Sequence, residues 1–185
     1  MTGVQTCALP ISRETKPGEF AVVTVGSSIA GTKSNIIPDR AVLLLNVRTY
    51  DEAVRRHVLE AIERIVRAEC EGAGSPEPPT FEYYDQYPLT SNDATVAERI
   101  GAAFREHFPG RVTELGRVTA SEDFSRIPNA FGTPYFYWGV GGFEDAATAP
   151  PNHSPHFAPL VQPTLDTGTS ALVVAASSYL GTDIA

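Results

Sequence analysis

Alternating and helix-spaced hydrophobic positions predict four elements in the first half of the chain. Phe20–Val25 is apolar and β-branched, and Ala41–Arg48 alternates between two faces, so both segments are predicted to be strands. Apolar residues at helical spacing predict a helix that begins after the N-cap Asp51 and runs to about Glu71. Phe81–Tyr87 alternates again and is predicted to be a third strand. The order strand, strand, helix, strand is that of a split βαβ unit, as in ferredoxin-like folds, without its opening strand and helix.

The second half of the chain mixes helical and strand patterns, which makes the predicted fold class α/β. The turn-rich segment Pro88–Asn92 marks the predicted boundary between the halves. The elements predicted beyond it are a helix from Asn92 or Asp93 to about His107, a strand around Val112–Ala120, a strand over Pro134–Val140, and a closing helix over Thr164–Leu180 followed by Gly181. The strand over Pro134–Val140 is apolar enough to be buried on both faces.

Composition and charge exclude several classes of protein. Hydrophobic residues make up 42% of the 185 residues, enough to bury a core. The 14 basic and 22 acidic residues give a net charge of −8, which argues against nucleic-acid or anionic-membrane partners. No apolar run approaches the roughly 20 residues of a membrane span, and Cys7 and Cys70 provide neither a disulfide framework nor a CxxC motif. The chain is therefore predicted to be a cytoplasmic globular protein.

The first twelve residues differ in character from the rest. The segment MTGVQTCALPIS lacks the basic start and the apolar length of a secretory signal. It is similar to strings that arise when a sequencing adapter is translated together with coding sequence. We therefore expect residues 1–12 to be non-native, a partial first domain to span residues 13–90, and a second domain to span residues 91–185. An ordinary unstructured N-terminus is the alternative.

The loop Asn152–Phe157 contains the most informative candidates, His153 and His156. Imidazole is the commonest metal ligand among side chains, and open α/β sheets place their sites on loops that follow buried strands. Two histidines three residues apart do not complete a catalytic zinc site, which needs three protein ligands and an open position. The spacing alone therefore leaves two interpretations open, a metal ligand or solvated loop histidines.

Two further groups of polar residues are candidates for substrate binding. Glu122 and Asp123 lie at a predicted strand-to-helix corner, where carboxylates either contact a substrate or cap a turn. Arg48 ends a predicted strand, and its planar guanidinium suits a carboxylate. Asn35 precedes it by thirteen residues in a turn-rich segment. For each group, an ordinary structural role in a turn or a solvated ion pair is the alternative.

Taken in order, six segments of the chain resemble one enzyme family. They are GTKSNIIPD, LLLNVR, ASEDFS, WGVGG, NHSPHF and LDTGTSALVVAASSYL, which span most of residues 13–181. Together they look like the C-terminal half of hippurate hydrolase-like N-acyl-amino-acid amidohydrolases, a branch of the binuclear metallopeptidase family that includes aminoacylases and glutamate carboxypeptidases. The resemblance implies a ferredoxin-like lid and dimerisation domain followed by the C-terminal part of an α/β catalytic domain.

The resemblance also implies roles for individual residues. His153 corresponds to the family's last metal ligand. Asn35 and Arg48 correspond to lid residues that approach the substrate's carboxylate or scissile carbonyl, often across the dimer. Glu122 and Asp123 lie in a segment near the substrate pocket. No catalytic residue is assigned in this chain, because the family's catalytic glutamate and its other metal ligands lie in the N-terminal half.

The function implied is hydrolysis of N-acyl amino acids such as hippurate, by an enzyme with two divalent metal ions, Zn, Mn or Co, in each active site. The resemblance further implies a homodimer formed through the lid, and a chain that is inactive by itself. A carboxypeptidase or dipeptidase of the same family is the near alternative. The alternative from another class is a non-catalytic ferredoxin-like module for dimerisation or small-ligand binding, because that fold serves many functions.

Overall fold

The computed structural model describes residues 13–181, so the expectations for residues 1–12, including Cys7, lie outside the described residues. The chain divides into two compact units, one that ends at Leu89 and one that begins at Thr90. Each unit is built around its own packed elements. The assignment of these units to a lid domain and a catalytic domain stays a prediction.

An antiparallel hairpin forms the sheet of the first unit. Strand β1, Ala21–Ala30, pairs with strand β2, Ala41–Thr49, and the pairing runs from Ala21 opposite Thr49 to Ala30 opposite Ala41. The prediction that β1 ends near Gly26 is wrong. The register shifts between Val25 and Ser27, so the extra residue is accommodated as a bulge and pairing continues to Ala30.

Helix α1, Glu52–Gly72, confirms the helix predicted from the spacing of apolar residues. Asp51 caps it, because its Oδ1 accepts hydrogen bonds from the backbone amides of Ala53 at 2.7 Å and Val54 at 2.9 Å. Those two bonds hold the pKa of Asp51 below its ordinary value. The buried face of α1 carries Val58, Ala61 and Ile65, and α1 contacts both strands of the hairpin.

The prediction of a strand over Phe81–Tyr87 is wrong. This segment has no ladder partner among the described residues, and side-chain contacts attach it to α1 instead. The Tyr83 hydroxyl donates to Glu63 at 2.6 Å, and the guanidinium carbon of Arg67 lies 4.8 Å from the centre of the Phe81 ring. Alternation of side chains therefore marks an extended segment here, but strand pairing needs a partner that a local pattern does not reveal.

The second unit packs two long helices against each other. Helix α2, Ala94–His107, is capped by Asp93, whose Oδ1 accepts from the amides of Thr95 and Val96 at 2.9 Å each. A short helix α3 spans Arg126–Phe131, and helix α4 spans Val161–Leu180 with a non-helical Gln162. The shared core consists of Ile100, Phe104, Ala171, Val174 and Ala175. Gly181, at φ +69°, ends α4 as predicted.

The predictions of two strands in the second unit are also wrong. Residues 112–120 and 134–140 form no ladder in the described chain. In the second segment, Phe136 and Trp138 pack against the helical core, and the Trp138 ring lies 5.4 Å from that of Phe104. Tyr137, from the alternate set of positions, is 40% exposed. The segment is therefore buried on one face and not on both, since no second layer covers the tyrosines among the described residues.

Candidate functional site

His153 occupies a left-handed backbone conformation in the loop that precedes α4. Its φ is +67°, a region that costs a non-glycine residue roughly 1–2 kcal/mol. Hydrogen bonds on the C-terminal side hold the turn, with the Ser154 amide 3.1 Å from the Pro151 carbonyl and the Phe157 amide 3.0 Å from the Ser154 carbonyl. The Ser154 hydroxyl also accepts from the His156 amide at 3.1 Å. The exposed His153 side chain thus extends from a fixed, strained backbone.

The base of this loop is closed by a contact between its two ends. The Leu160 amide donates to the Gly142 carbonyl at 2.8 Å. Between these residues, the rings of Phe143 and Phe157 pack edge to face with their centres 5.3 Å apart. The two ends of the loop are therefore close together, and its own aromatic side chains pack against each other, as in a compact surface loop.

Glu122 lies half-buried beside the phenol of Tyr137. Burial, the negative charge of Glu122 and a hydrogen bond to that carboxylate together raise the pKa of Tyr137 above its ordinary value of 10.0. The Phe124 ring lies 5.1 Å from the Tyr137 ring and 5.6 Å from the Tyr135 ring. We call Phe124, Tyr135 and Tyr137 the aromatic platform. It places a carboxylate next to a protonated phenol and an apolar surface.

The Asn92 side chain forms hydrogen bonds with the main chain of Tyr137, one residue of the aromatic platform. Its Oδ1 accepts from the Tyr137 amide at 2.7 Å, and its Nδ2 donates to the Tyr137 carbonyl at 2.9 Å. The Tyr135 hydroxyl accepts from the Ser91 amide at 2.8 Å, and the Tyr135 carbonyl accepts from the Asp93 amide at 2.9 Å. A side-chain amide therefore takes the place of a neighbouring strand at Tyr137.

The sequence indicates Asn92 only as a possible helix cap, and the cap in the structure is Asp93. It missed Tyr135 and Tyr137 as functional candidates, because their segment was interpreted as a strand buried on both faces. The signal was present in the alternation of PYFYWGV, which places the two tyrosines on one side and Phe136 and Trp138 on the other.

Asp123 lies at the corner that leads into α3. Its carbonyl accepts from the Arg126 amide at 2.9 Å, and its side chain is exposed. The neighbouring Ser125 is fully buried, and its hydroxyl accepts from the Thr90 hydroxyl at 3.1 Å. Ser125 thus attaches the corner to the interior of the second unit, whereas Glu122 is half-buried and Asp123 is exposed.

Asn35 and Arg48 lie toward opposite ends of the hairpin in the first unit. Asn35 is in the loop that joins β1 to β2, whereas Arg48 pairs with Val22 near the open end. Seven residues separate Arg48 from Ala41, the first residue of β2, which corresponds to about 23 Å at roughly 3.3 Å per residue. The Arg48 Nε donates to Asn46 Oδ1 at 2.9 Å. Arg48 therefore lies near the end of the hairpin opposite the loop that contains Asn35.

The residues described do not complete a metal site. No group of three or more His, Cys, Asp or Glu side chains suited to a metal ion occurs in this part of the chain. A catalytic zinc needs three protein ligands, so the described residues alone do not hold one, and the role of His153 as a metal ligand stays a prediction. The described helices also include none that is long and apolar enough to cross a membrane.

The part of the chain that forms the hairpin and α1 is similar to a known domain. Residues 16–73, which contain β1, β2 and α1, match the family model described as the peptidase dimerisation domain. Residues 16–73 are therefore similar to the dimerisation domain of M20 peptidases, in agreement with the resemblance found in the sequence.

The curated relatives that this chain resembles are named as a carboxypeptidase and an amidohydrolase. The chain is 32% identical over 146 residues to thermostable carboxypeptidase 2 of Saccharolobus solfataricus, an alignment that covers 79% of this chain and 36% of that protein. It is 30% identical over 178 residues to the amidohydrolase YhaA of Bacillus subtilis, covering 94% of this chain and 41% of that one. The chain thus spans about two-fifths of the length of these hydrolases.

The fold of the chain matches that of a solved protein from Bacillus subtilis, YXEP, which is described as a dinuclear metal binding peptidase from the M20 family. The TM-score is 0.71 at 23% sequence identity, and the match covers 98% of this chain and 46% of that protein. At this level of identity the likeness shows the α/β fold. The metal description belongs to the solved protein.

Proposed function

We propose that this chain is the C-terminal part of a divalent-metal-dependent amidohydrolase that cleaves the amide bond of N-acyl amino acids such as hippurate. The dimerisation domain, together with relatives named as a carboxypeptidase and an amidohydrolase, supports a hydrolase that acts on amide bonds. Because these relatives are more than twice as long, the proposed active site includes residues beyond this chain.

The observation that carries the proposal is the backbone of His153. Strained conformations of non-glycine residues persist where the surrounding structure holds them, and they concentrate at functional sites. In the proposal His153 supplies one metal ligand, with Zn, Mn or Co as the ion, and the remaining ligands come from outside the described residues. A bound divalent metal ion polarises a carbonyl and lowers the pKa of its water. This chain's own part is to hold the imidazole at a fixed angle.

The wide separation of Asn35 and Arg48 supports a homodimer. Arg48 lies about 23 Å along β2 from the end of the hairpin that carries the Asn35 loop, which is farther than a small N-acyl amino acid extends, so we expect the two residues to reach the same substrate from different copies. A second copy, joined through the dimerisation domain, can supply one residue while the first copy supplies the other. In this arrangement Arg48 binds the free carboxylate of the substrate through its planar guanidinium, and Asn35 hydrogen-bonds near the scissile carbonyl.

Glu122 and Asp123 are proposed to line the substrate pocket in the second unit. The aromatic platform beside Glu122 offers an apolar surface for an aromatic or aliphatic acyl group, and the carboxylate offers an acceptor for a substrate N–H group. The acidic and apolar groups are adjacent, which suits a substrate that has an amide next to an apolar group.

The test of the proposal is hydrolysis of hippurate by the protein encoded by the complete gene, with Zn²⁺, Mn²⁺ or Co²⁺ supplied. His153→Ala should lower kcat/KM by at least about a hundredfold, because it removes a metal ligand. His156→Ala is the matched control, since His156 lies in the same loop and has no proposed role. Equal losses from both variants would contradict the assignment of His153.

A carboxypeptidase activity is the second candidate, because the 32% identical relative bears that name. Both reactions break an amide bond next to a free carboxylate, so the same chain residues would serve. Parallel assays with N-acyl amino acids and with short peptides distinguish them. Release of a C-terminal amino acid from peptides at the higher kcat/KM would favour the carboxypeptidase.

A further inference from the structure

Three side-chain contacts join the segment Phe81–Tyr87, which we call the strap, to helix α1. Each contact pairs a later residue of the strap with an earlier turn of the helix. In chain order, the Phe81 ring lies 4.8 Å from the guanidinium carbon of Arg67, the Tyr83 hydroxyl donates to Glu63 at 2.6 Å, and Gln86 Oε1 accepts from Arg55 at 2.6 Å. The strap therefore runs antiparallel to α1 along its surface.

The contact in the middle of the strap is made to an ionised group that a second residue also holds. The Arg67 guanidinium donates to Glu63 Oε2 at 3.2 Å, while Glu63 Oε1 accepts from Tyr83. The hydrogen bonds from Tyr83 and Arg67 lower the pKa of Glu63 below its ordinary value, so the carboxylate is charged at neutral pH. Hydrogen bonds to charged groups are stronger than those between neutral groups. Tyr83 is therefore the contact whose loss should loosen the strap most.

The length of the strap matches the length of helix that it covers. From Arg55 to Arg67 the helix rises about 18 Å, at 1.5 Å per residue. From Phe81 to Gln86 an extended chain spans about 16 Å, at roughly 3.3 Å per residue. A bend at Asp85, whose φ is +48°, shortens this span, and the long side chains of Arg55 and Gln86 cover the difference. The three contacts thus fix the strap over about three turns of α1.

The strap is also part of the chain that connects the first unit, which ends at Leu89, to the second, which begins at Thr90. Thr90 follows the last strap contact, Gln86, by four positions, or about 14 Å of extended chain. Without the three contacts, the connection would begin at Ser75, whose amide donates to the Cys70 carbonyl at 2.9 Å. Thr90 follows Ser75 by fifteen positions, which extend to about 50 Å. Attachment of the strap therefore shortens the connection more than threefold.

We propose that the strap is a conformational device that sets the reach of the connection between the two units: attached to α1 through Tyr83 and Gln86, it keeps the connection short, and its release lets the units move farther apart. A shorter connection raises the effective concentration of one unit near the other. The inference goes beyond the proposed function, since it concerns the connection and not the chemistry of a site.

Two double variants of the 185-residue chain test the proposal. The release variant, Tyr83→Phe/Arg55→Ala, removes two of the three contacts. The control variant, Tyr84→Phe/Arg56→Ala, changes the same residue types one position away, where both side chains are exposed. Any difference between the two variants therefore reports the contacts of the strap and not the residue types.

The first experiment measures attachment through the rate at which chymotrypsin, which cuts after aromatic residues, cleaves within the strap. Phenylalanine preserves the cleavage site at position 83, so a faster cut reports detachment. The release variant should be cleaved at least about tenfold faster than the wild type, as expected for the loss of two hydrogen bonds to charged groups. The control variant should be cleaved at the wild-type rate. Equal rates in all three proteins would overturn the attachment.

Cleavage after Tyr50 distinguishes local detachment from unfolding of the first unit. The Tyr50 ring packs on that of Phe20 with centres 4.4 Å apart, so this site becomes accessible when the unit unfolds. In the release variant it should be cut far more slowly than the strap. Equal rates at the two places would show that the strap opens only with the whole unit, which would overturn the proposal.

The second experiment measures the reach between the units by electron spin resonance. Spin labels are attached at Glu60→Cys on α1 and Glu106→Cys on α2, both exposed positions, with Cys7 and Cys70 replaced by serine. Dilution with unlabelled chain removes distances between copies. The release variant should broaden the distribution of distances and extend its upper limit, and the control variant should match the wild type. A strap that detaches in the cleavage assay but leaves the distribution unchanged would overturn its role in the connection.

Discussion

The side-chain amide of Asn92 bonds both main-chain polar groups of Tyr137, with Oδ1 2.7 Å from the Tyr137 nitrogen and Nδ2 2.9 Å from its carbonyl oxygen. This is the pattern by which one residue of a strand pairs with its neighbour across a sheet. One asparagine thus fixes an extended segment that has no ladder partner in the described chain.

Replacing Asn92 should therefore destabilise the second unit. Asn92→Ala removes two partly exposed hydrogen bonds and should lower the free energy of unfolding by about 1–2 kcal/mol. Urea denaturation measures the change through the transition midpoint. Asn129→Ala, on the exposed surface of α3, is the control and should stay within about 0.5 kcal/mol. Similar values for both variants would show that the amide contributes nothing.

The two faces of α4 should respond differently to truncation. Val174 is 5% exposed in the core, and Leu172 is 64% exposed on the same helix. Val174→Ala should cost about 2 kcal/mol through lost burial and the remaining cavity. Leu172→Ala removes more atoms but should change the free energy of unfolding by less than about 0.5 kcal/mol. Chemical denaturation of both variants decides between these values, and a larger loss from Leu172→Ala would contradict the described packing.

The Tyr83–Glu63 contact should make stability depend on alkaline pH. Burial and the hydrogen bond to Glu63 raise the pKa of Tyr83 to about 12, from 10.0. The folded protein therefore holds this proton more tightly than the unfolded chain. The stabilisation is fully present below about pH 10 and is lost as the pH rises toward 12.

Urea midpoints of the wild-type protein and Tyr83→Phe, compared near neutral pH and near pH 11, test this dependence. The advantage of the wild type should be present at neutral pH and smaller in the alkaline range. Tyr84→Phe, one residue away, should give the same difference from wild type at both pH values. An advantage of Tyr83 that grows with pH would have the wrong sign.

Helices were predictable from this sequence because their signals are local. Asp51 and Asp93 supply the caps, apolar residues recur at helical spacing, and Gly181 ends α4. The strands predicted over residues 81–87, 112–120 and 134–140 failed for the opposite reason. Alternation shows that a segment is extended, but the ladder depends on a partner distant in sequence.

The candidate site was predictable to a similar, limited extent. The sequence singles out the loop that contains His153, and the role of His153 as a metal ligand stays a prediction. The left-handed backbone of His153 could not be predicted from the sequence. The hydrogen bonds that hold the Tyr137 main chain come from Asn92, which lies 45 positions earlier in the sequence. No local pattern encodes that arrangement.

Asn35 and Arg48 should complement each other across two copies. In the complete protein, Asn35→Ala and Arg48→Ala should each lower kcat/KM by about tenfold or more. Mixing and re-forming the two variants creates mixed dimers in which one site keeps both residues. Because about half of the dimers are mixed and each has one intact site, activity should recover to about a quarter of wild type.

The control for this experiment is a mixture of Asn35→Ala with the double variant Asn35→Ala/Arg48→Ala, which cannot form an intact site. No recovery in the first mixture would show that both residues act within one copy or not at all. Recovery in the control mixture would show that the gain does not come from a re-formed site.

The most direct test of the central claim compares the turnover of hippurate by the 185-residue chain and by the protein from the complete gene, each with and without Zn²⁺, Mn²⁺ or Co²⁺. We expect metal-dependent hydrolysis by the complete protein and none above the metal-only background by the 185-residue chain, because the described residues include no group of three side chains suited to a metal ion. Metal-dependent hydrolysis by the 185-residue chain, or no hydrolysis of any N-acyl amino acid by the complete protein, would contradict it.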